Sequence, residues 1–206
     1  MSIDSSGRLL VNTSTSRIVE DHVGNGPQGK IQIEATNSDA IMSIISAGTA
    51  DSNRCGTISL GRHRNSTVGG TPTIVQNGDA LGAIVFAAGD GTDMRTSGAK
   101  IHAIVDGTPG SNDMPGALIF STTPDGSASP YNQERMRIDS SGKMGIGGVT
   151  NPGDYHANAN SLVSSGGITL ANTSMGSIYF ADSATGTGEY VGQLNYDHTT
   201  DSMQFG

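Results

Sequence analysis

The chain has 206 residues and a formal net charge of −8, from 11 basic and 19 acidic residues. Because affinity for nucleic acid comes mostly from Lys and Arg side chains that neutralise phosphates, this balance argues against a nucleic-acid-binding protein. No apolar run approaches the ~20 residues of a membrane-spanning helix, and no apolar leader opens the sequence, so membrane insertion is not expected.

Bulky apolar residues are scarce. Hydrophobic residues make up 34% of the chain and aromatic residues 4%, Trp is absent, and Gly occupies 30 positions. Since each buried aromatic side chain removes about 150–250 Å² from water, a single thick core is undersupplied. Either a thin repeated core or a core shared between copies of the chain would complete the interior. The single Cys55 excludes an internal disulfide and is expected to be a small buried thiol.

A six-residue phrase occurs twice in the chain. Ile3–Arg8 reads Ile-Asp-Ser-Ser-Gly-Arg, and 135 positions later Ile138–Lys143 reads Ile-Asp-Ser-Ser-Gly-Lys. Reuse of a non-catalytic phrase at long range predicts repeated structural units. In the first copy, the Asp-Ser-Ser-Gly turn leads into a short predicted strand over Arg8–Val11.

Two further segments precede the first complete hairpin. Lys30–Glu34 alternates strictly between polar and apolar residues, which places Ile31 and Ile33 on one face of a strand. Ala40–Ala47 fits either a short helix or a buried strand. Its β-branched isoleucines favour the strand.

Four segments align without a gap, each beginning with Gly and continuing through small and apolar residues. They are Gly56–Leu60, Gly82–Phe86, Gly116–Phe120 and Gly176–Phe180. The last three lead into turns rich in Asp and Gly, and each turn is followed by a second apolar strand. These returning strands are Ala99–Val105, Arg135–Asp139 and Val191–Asp197. The repeated unit is therefore predicted to be a β-hairpin with a polar loop.

The returning strands alternate with period two. In the first returning strand, Ile101 and Lys100 lie on opposite faces. In the second, Met136 and Ile138 lie on one face and Arg135 and Arg137 on the other. The pattern predicts apolar residues inside and charged residues outside. A slip of one residue would bury both arginines, so the register is well determined. The third returning strand follows the same rule, with Leu194 and Tyr196 opposite Gln193 and Asn195.

These patterns predict an all-β protein of repeated β-hairpin units that form an elongated, fibre-like trimer with an inter-chain core. Gly, Asn and Pro concentrate near Asn151–Gly153, and we place a boundary there. The predicted division is a β-hairpin repeat region over residues 1–145, followed by a Gly/Asn-rich linker and C-terminal β-hairpin region over residues 146–206.

Several long segments resemble recurring phrases in tail-fibre and related virion proteins of bacteriophages, especially marine ones. They are Ile74–Phe86, Val105–Gly110, Asn112–Gly116, Phe120–Gly126, Ser129–Gly142 and Tyr196–Gly206. The resemblance implies a homotrimeric, β-rich fibre that belongs to the virion, is assembled in the host cytoplasm and contacts other virion proteins. Members of this family often end in an intramolecular chaperone that is cleaved off, and no such domain is expected within these 206 residues.

Motifs for nucleophilic, zinc-dependent and phosphate-binding enzymes are absent from the sequence, so neither an enzyme nor a cofactor is predicted. The histidines show no paired ligand spacing, and only convergence of three copies of His102 or His198 on a trimer axis would build a zinc site. Turns over Asp90–Asp93 and Asp197–Asp201 are the calcium candidates, although Asp and Gly are common in ordinary turns. No metal site is therefore predicted.

The one basic concentration consists of Arg54, Arg62, His63 and Arg64. These arginines are the candidates for binding an anionic sugar or phosphate, and inter-chain salt bridges or a solvated surface are the alternative roles. Aromatic residues that could stack on a sugar are Tyr131, Tyr155, Tyr179, Tyr190 and Tyr196.

Three functional hypotheses follow. The first is a trimeric structural fibre of a phage virion that supports host attachment, with a capsid decoration or head fibre as a variant. The second is a receptor module whose loops bind host-surface carbohydrate. A glycan depolymerase is the least favoured, because no pair of carboxylates is marked by the sequence and Trp is absent.

Overall fold

The computed structural model describes residues 1–13, 19, 30–36, 40–47, 55–127, 133–155, 161–170, 175–180 and 192–205. Within these ranges the protein is all-β, with one short 3₁₀ turn and no α-helix. The chain divides into two compact units, Met1–Ser165 and Gly166–Gly206. The boundary inferred from the sequence, at residues 145/146, stays a prediction.

The described strands form three sheets. Their bounds are β1 Ser2–Ile3, β2 Leu9–Val11, β3 Ile31–Ile33, β4 Ala80–Ala88, β5 Thr96–Val105, β6 Gly116–Thr122, β7 Glu134–Ile138, β8 Met144–Ile146, β9 Leu162–Ser164, β10 Met175–Phe180, β11 Gly192–Asp197 and β12 Ser202–Phe205. The first unit contains the sheets β1-β2-β3 and β4-β5-β6-β7-β8-β9, and the second contains β10-β11-β12. The 3₁₀ turn covers Pro152–Asp154.

The three hairpins predicted from a Gly-led strand and a returning strand are present. β4 pairs antiparallel with β5, β6 with β7, and β10 with β11, each joining a Gly-led strand to its predicted returning strand. Gly91 and Gly126 lie in the first two connecting turns with φ of 94° and 74°, values that L side chains rarely adopt. Asp and Gly therefore do form these turns, as their composition indicates.

The strand predicted at Gly56–Leu60 is wrong, because residues 55–60 form no strand. Leu60 instead lies over the face of β4: a Cβ built on Gly82 would stand 2.6 Å from the Leu60 Cβ. Only a glycine in β4 allows this approach. Cys55 is exposed, so its expected burial is also wrong. Residues 40–47 are exposed and form neither a helix nor a strand, which corrects both interpretations of that segment.

The predicted orientation of the central sheet is inverted. Lys100 and Arg137 are buried, with 6% and 8% of their surfaces exposed, whereas Ile84 and Phe86 are 52% and 56% exposed. Opposed residues share a face of a sheet, and Ile84 pairs with Ile101. The register follows the sequence pattern, but Lys100 and Arg137 turn inward beside Ile119, whereas Ile84 and Phe86 face outward. Arg135 is exposed, as the sequence pattern predicts.

Arg137 is accommodated inside by a local ion pair. Its Nε and Nη2 donate to the two carboxylate oxygens of Glu134, at 2.7 and 3.0 Å. The hydrogen bond to Glu134 raises the pKa of Arg137, and the negative charges of Asp106 and Asp139 add to this effect. A buried guanidinium with a bidentate partner is tolerated, whereas an unpaired one would not be.

The repeated Ile-Asp-Ser-Ser-Gly phrase forms the same turn twice. In each copy the aspartate Oδ1 accepts two backbone N–H groups, from the residues two and four positions later, and the glycine has positive φ. The donors are Ser6 and Arg8 to Asp4, at 2.9 and 3.0 Å, and Ser141 and Lys143 to Asp139, at 2.9 and 2.8 Å; the glycines are Gly7 (φ 71°) and Gly142 (φ 76°).

The equivalence continues beyond the turn. β2 and β8 each pair next with a parallel strand, and at the same register, because Leu9 faces Ile31 as Met144 faces Leu162. A backbone bond closes each pair, from Leu9 N–H to the Lys30 carbonyl at 2.7 Å and from Met144 N–H to the Ser161 carbonyl at 2.8 Å. We call β1-β2-β3 the first turn module and β7-β8-β9 the second turn module.

Candidate functional site

Each of the three sheets has one exposed apolar face. We define the apolar face of the central sheet by residues that share one side through the strand register. They are Gly82, Ile84, Phe86, Ile101, Ala103, Leu118, Phe120, Met136, Ile138, Met144, Ile146 and Leu162. Its large side chains are exposed or half-buried in the single chain. Isolated exposed apolar residues are ordinary, but a face that crosses six strands marks an interaction surface.

The two smaller sheets repeat this arrangement. In the first turn module, Ile3, Leu9 and Ile31 share a face, and Ile31 is 67% exposed. In β10-β11-β12, Leu194 pairs with Phe205, which is 80% exposed, while the polar Asn195 of the opposite face is buried. The apolar faces of all three sheets are therefore largely uncovered within one chain.

Asp79 is the centre of the basic cluster predicted as a ligand site. It accepts Arg64 Nε and Nη2 at 2.7 and 2.9 Å, Arg62 Nη2 lies 3.5 Å away, and Gln76 N–H donates at 2.9 Å. The bond from Arg64, followed by that from Gln76, holds the pKa of the Asp79 carboxyl well below its usual range. Arg54 lies outside the described residues. Arg62 and Arg64 are thus brought together around a carboxylate of their own chain, which occupies the fork of Arg64.

Asp79 also belongs to a loop that is tied to the end of β5. Its carbonyl accepts Val105 N–H at 2.8 Å, Gly78 N–H donates to the Val105 carbonyl at 2.8 Å, and the Asn77 Oδ1 accepts Gly107 N–H at 2.9 Å. The two arginines therefore fasten the irregular segment around residue 63 to the edge of the central sheet.

The calcium candidates use their carboxylates within their own turns. Asp90 Oδ1 accepts the N–H groups of Thr92 and Asp93, at 2.8 and 3.0 Å, and these bonds lower its pKa. Asp197 accepts both the N–H and the hydroxyl of Thr199, at 2.8 and 2.6 Å. Within the described ranges no three His, Cys, Asp or Glu side chains come together as a metal site.

The histidines named for an axial zinc site lie in different environments. His102 is half-buried in β5, on the face opposite the apolar face. His198 is exposed beyond β11 and meets the ring of Tyr196 edge-on, with centroids 4.9 Å apart. Among the described residues no helix has the length and hydrophobicity of a membrane span.

One polar depression of about 270 Å³ lies beside the second turn module. Its lining consists of Gly148, Val149, Thr150, Asn151, Asp154, Tyr155 and Ser165. Val149 and Pro152 of the same loop are buried, and a Cβ on Gly145 would collide with the Val149 carbonyl and stand 3.1 Å from Pro152 Cγ. This packing holds the loop in place while the Tyr155 side chain stays 53% exposed.

Tyr155 is thus the one sugar-stacking candidate that the described structure places on a depression with polar neighbours. Tyr131 and Tyr190 lie outside the described residues, as does the side chain of Tyr179. Tyr196 is half-buried, and its hydroxyl donates to Asp201 at 3.1 Å. Sequence alone could not rank these tyrosines, because the burial of Pro152 that orders this loop has no sequence signature.

No family model and no curated protein matches this sequence. Solved structures similar to it include two of a phage tail fibre. One is the carboxy-terminal domain of the bacteriophage T5 L-shaped tail fibre, with a TM-score of 0.45, 11% identity, and coverage of 80% of this chain and 81% of that chain. The other is the same domain with its intramolecular chaperone domain, with a TM-score of 0.43, 12% identity, and coverage of 80% of this chain and 55% of that chain.

Proposed function

We propose that this chain is a structural protein of a phage virion, a trimeric fibre or fibre segment that supports host attachment and has no catalytic turnover. Other virion proteins are its attachment partners, and it is assembled in the host cytoplasm. The observation that carries this proposal is the exposure of an apolar face on every sheet. The resemblance of its sequence phrases to phage fibre proteins is the reason for proposing three copies and a place in the virion.

The physical argument concerns what covers the apolar faces. Apolar surface is worth about 25 cal/mol for each Å² removed from water, so a face that crosses six strands favours association strongly. The charged Lys100 and Arg137 already occupy the opposite face, so the chain cannot turn the sheet over to hide its apolar side. Copies of the same chain offer the same apolar faces, and enclosing them supplies the shared interior that a sequence poor in aromatic residues lacks.

The mass of the protein in solution tests this proposal. Light scattering after size exclusion should give three times the 21.0 kDa of one chain. A folded, monodisperse species of one chain mass would contradict the trimer. Locating the protein in a virion density map then separates a tail fibre from the capsid decoration or head fibre, which share the same physical requirements.

Carbohydrate binding at the host surface is the second candidate, and the depression beside Tyr155 favours it. An exposed aromatic ring, a carboxylate at Asp154 and an amide at Asn151 converge on one ordered loop. Aromatic faces pack on the apolar side of a sugar, while carboxylate and amide groups bind its hydroxyls. A binding site typically combines apolar area with a few fixed polar groups in this way.

Replacing Tyr155 with Ala should weaken binding to a responsive polysaccharide at least about tenfold, a loss of about 1.4 kcal/mol. The measurement is titration against an array of bacterial surface polysaccharides. Tyr155→Phe is the matched control, because it keeps the ring and should keep most of the affinity. Equal binding by the wild type and Tyr155→Ala would remove this depression as the glycan site.

A further inference from the structure

The two turn modules differ at one edge. β7 of the second turn module pairs on its outer side with β6, where Leu118 faces Ile138. β1 of the first turn module pairs with β2, and its outer edge carries no strand among the described residues. Since the two modules agree in turn geometry, register and parallel third strand, the edge of β1 is the counterpart of an edge that is occupied in the second copy.

A hydrogen bond beside that edge shows what else the occupant contributes. The loop between β5 and β6 places Asp106 against the second turn, where its Oδ2 accepts Ser140 N–H at 2.8 Å. The equivalent donor in the first turn is Ser5 N–H, 135 positions earlier. Among the described residues Ser5 N–H has no hydrogen-bond acceptor. One carboxylate and one strand are thus the two features that the described residues supply at the second module but not at the first.

We propose that the outer edge of β1 binds a β-hairpin built like β5-β6 of this chain, at the junction between successive modules of a fibre. The incoming strand runs antiparallel to β1 in the β6 register, and the aspartate of its preceding loop accepts Ser5 N–H. The chain's own β5-β6 hairpin is not available for this role, because β6 already pairs with β7. This inference rests on the proposed fibre function for the setting of the partner.

The side chains and backbone groups at the outer edge of β1 fit such a partner. Ile3, at the equivalent of Ile138, lies on the exposed apolar face with Leu9, so an apolar residue at the Leu118 position of the partner would extend that face. Addition of a strand to an open edge gives main-chain hydrogen bonds, and the alternating side chains select the partner. The Asp carboxylate adds a charge-assisted bond that a generic strand lacks.

A grafted chain tests the proposal in the full-length protein. Residues 80–136 are added directly before Ser2, because Met136 occupies the position equivalent to Met1. Amide hydrogen exchange of Ser5 should slow at least about tenfold and approach that of Ser140. Asp106→Asn in the added segment alone should accelerate Ser5 exchange again and leave Ser140 unchanged. Unaltered Ser5 exchange in a folded graft would overturn the proposal.

The unmodified chain provides a second readout that does not depend on the graft folding. A synthetic peptide of residues 103–122 is titrated to millimolar concentration while amide resonances are followed by NMR. Shifts at Ile3 and Ser5, reduced with the Asp106→Asn peptide, are expected, and no shift at either amide would overturn the proposal. Both measurements report only on the edge of β1, so their failure can be told apart from failure of the proposed function. If the protein is a trimer but does not bind the peptide, only the junction proposal is contradicted. If it is a monomer and binds the peptide, only the proposed trimer is contradicted.

Discussion

Phe86→Asp should convert the associated protein into single chains. Phe86 lies on the apolar face of the central sheet and is 56% exposed in one chain, so the proposed shared interior is where its ring is buried. Complete burial of a Phe side chain is worth about 1.5–3 kcal/mol, and association can bury only the roughly half of Phe86 that is still exposed, in each of three chains. The total of about 2.5–5 kcal/mol corresponds to roughly a hundredfold or more weaker association, before the cost of burying three carboxylates is added.

Light scattering over a concentration series measures this effect directly. Thr108→Asp is the matched control, since it adds the same charge at an exposed loop position away from the apolar face and should leave the mass unchanged. Circular dichroism distinguishes loss of association from loss of strands. A Phe86→Asp protein with the same mass and stability as the wild type would refute enclosure of this face.

The sequence predicted the strands better than it predicted their surroundings. Alternation with period two correctly identified β5 and β7 and their hairpin partners, because side-chain direction in a strand is a local property. Which face is covered depends on other parts of the molecule. The rule that charged residues face water therefore failed at Arg137, where Glu134, three residues earlier, supplies a bidentate partner.

Similarity in sequence between two segments also did not ensure that both form a strand. Gly56–Leu60 aligns with strand segments but forms no strand, because Leu60 lies on the face of β4 over Gly82. By contrast, the repeated Ile-Asp-Ser-Ser-Gly phrase forms the same turn in both places. An aspartate that binds two N–H groups of its own turn and a glycine with positive φ are sufficient locally, so this phrase determines its structure without help from distant residues.

At the candidate sites, too, local features could be predicted from the sequence and long-range contacts could not. Charge clustering placed Arg62 and Arg64 in one group, and their role in ligand binding stays a prediction, but their partner Asp79 is 15 or more positions away and was not predicted. A carboxylate becomes recognisable as a partner only when the chain has folded back. The junction edge of β1 likewise emerged only from comparing two modules whose one obvious similarity in sequence is the six-residue phrase at Ile3–Arg8 and Ile138–Lys143.

Asp79→Asn should lower the melting temperature by several degrees at neutral pH. The substitution keeps the shape of the side chain and removes the charge that Arg64 binds at 2.7 and 2.9 Å and that Arg62 approaches at 3.5 Å. Both arginines then lose their partner, and the segment around residue 63 loses its attachment to the edge of the central sheet. Asp125→Asn, at an exposed turn position, is the matched control and should have little effect.

Lowering the pH should abolish the difference in melting temperature between the wild type and Asp79→Asn. The pKa of Asp79 in the folded protein lies below its ordinary value of 3.8, chiefly through the hydrogen bond from Arg64. A carboxylate with a lowered folded pKa stabilises the protein fully above its unfolded pKa, and this contribution is lost as the pH falls through the folded value. The melting temperatures of the wild type and Asp79→Asn should therefore differ most above about pH 5 and converge as the pH falls below about 4. A gap that persists unchanged to pH 2 would mean that the Asp79 charge is not what holds the two arginines in place.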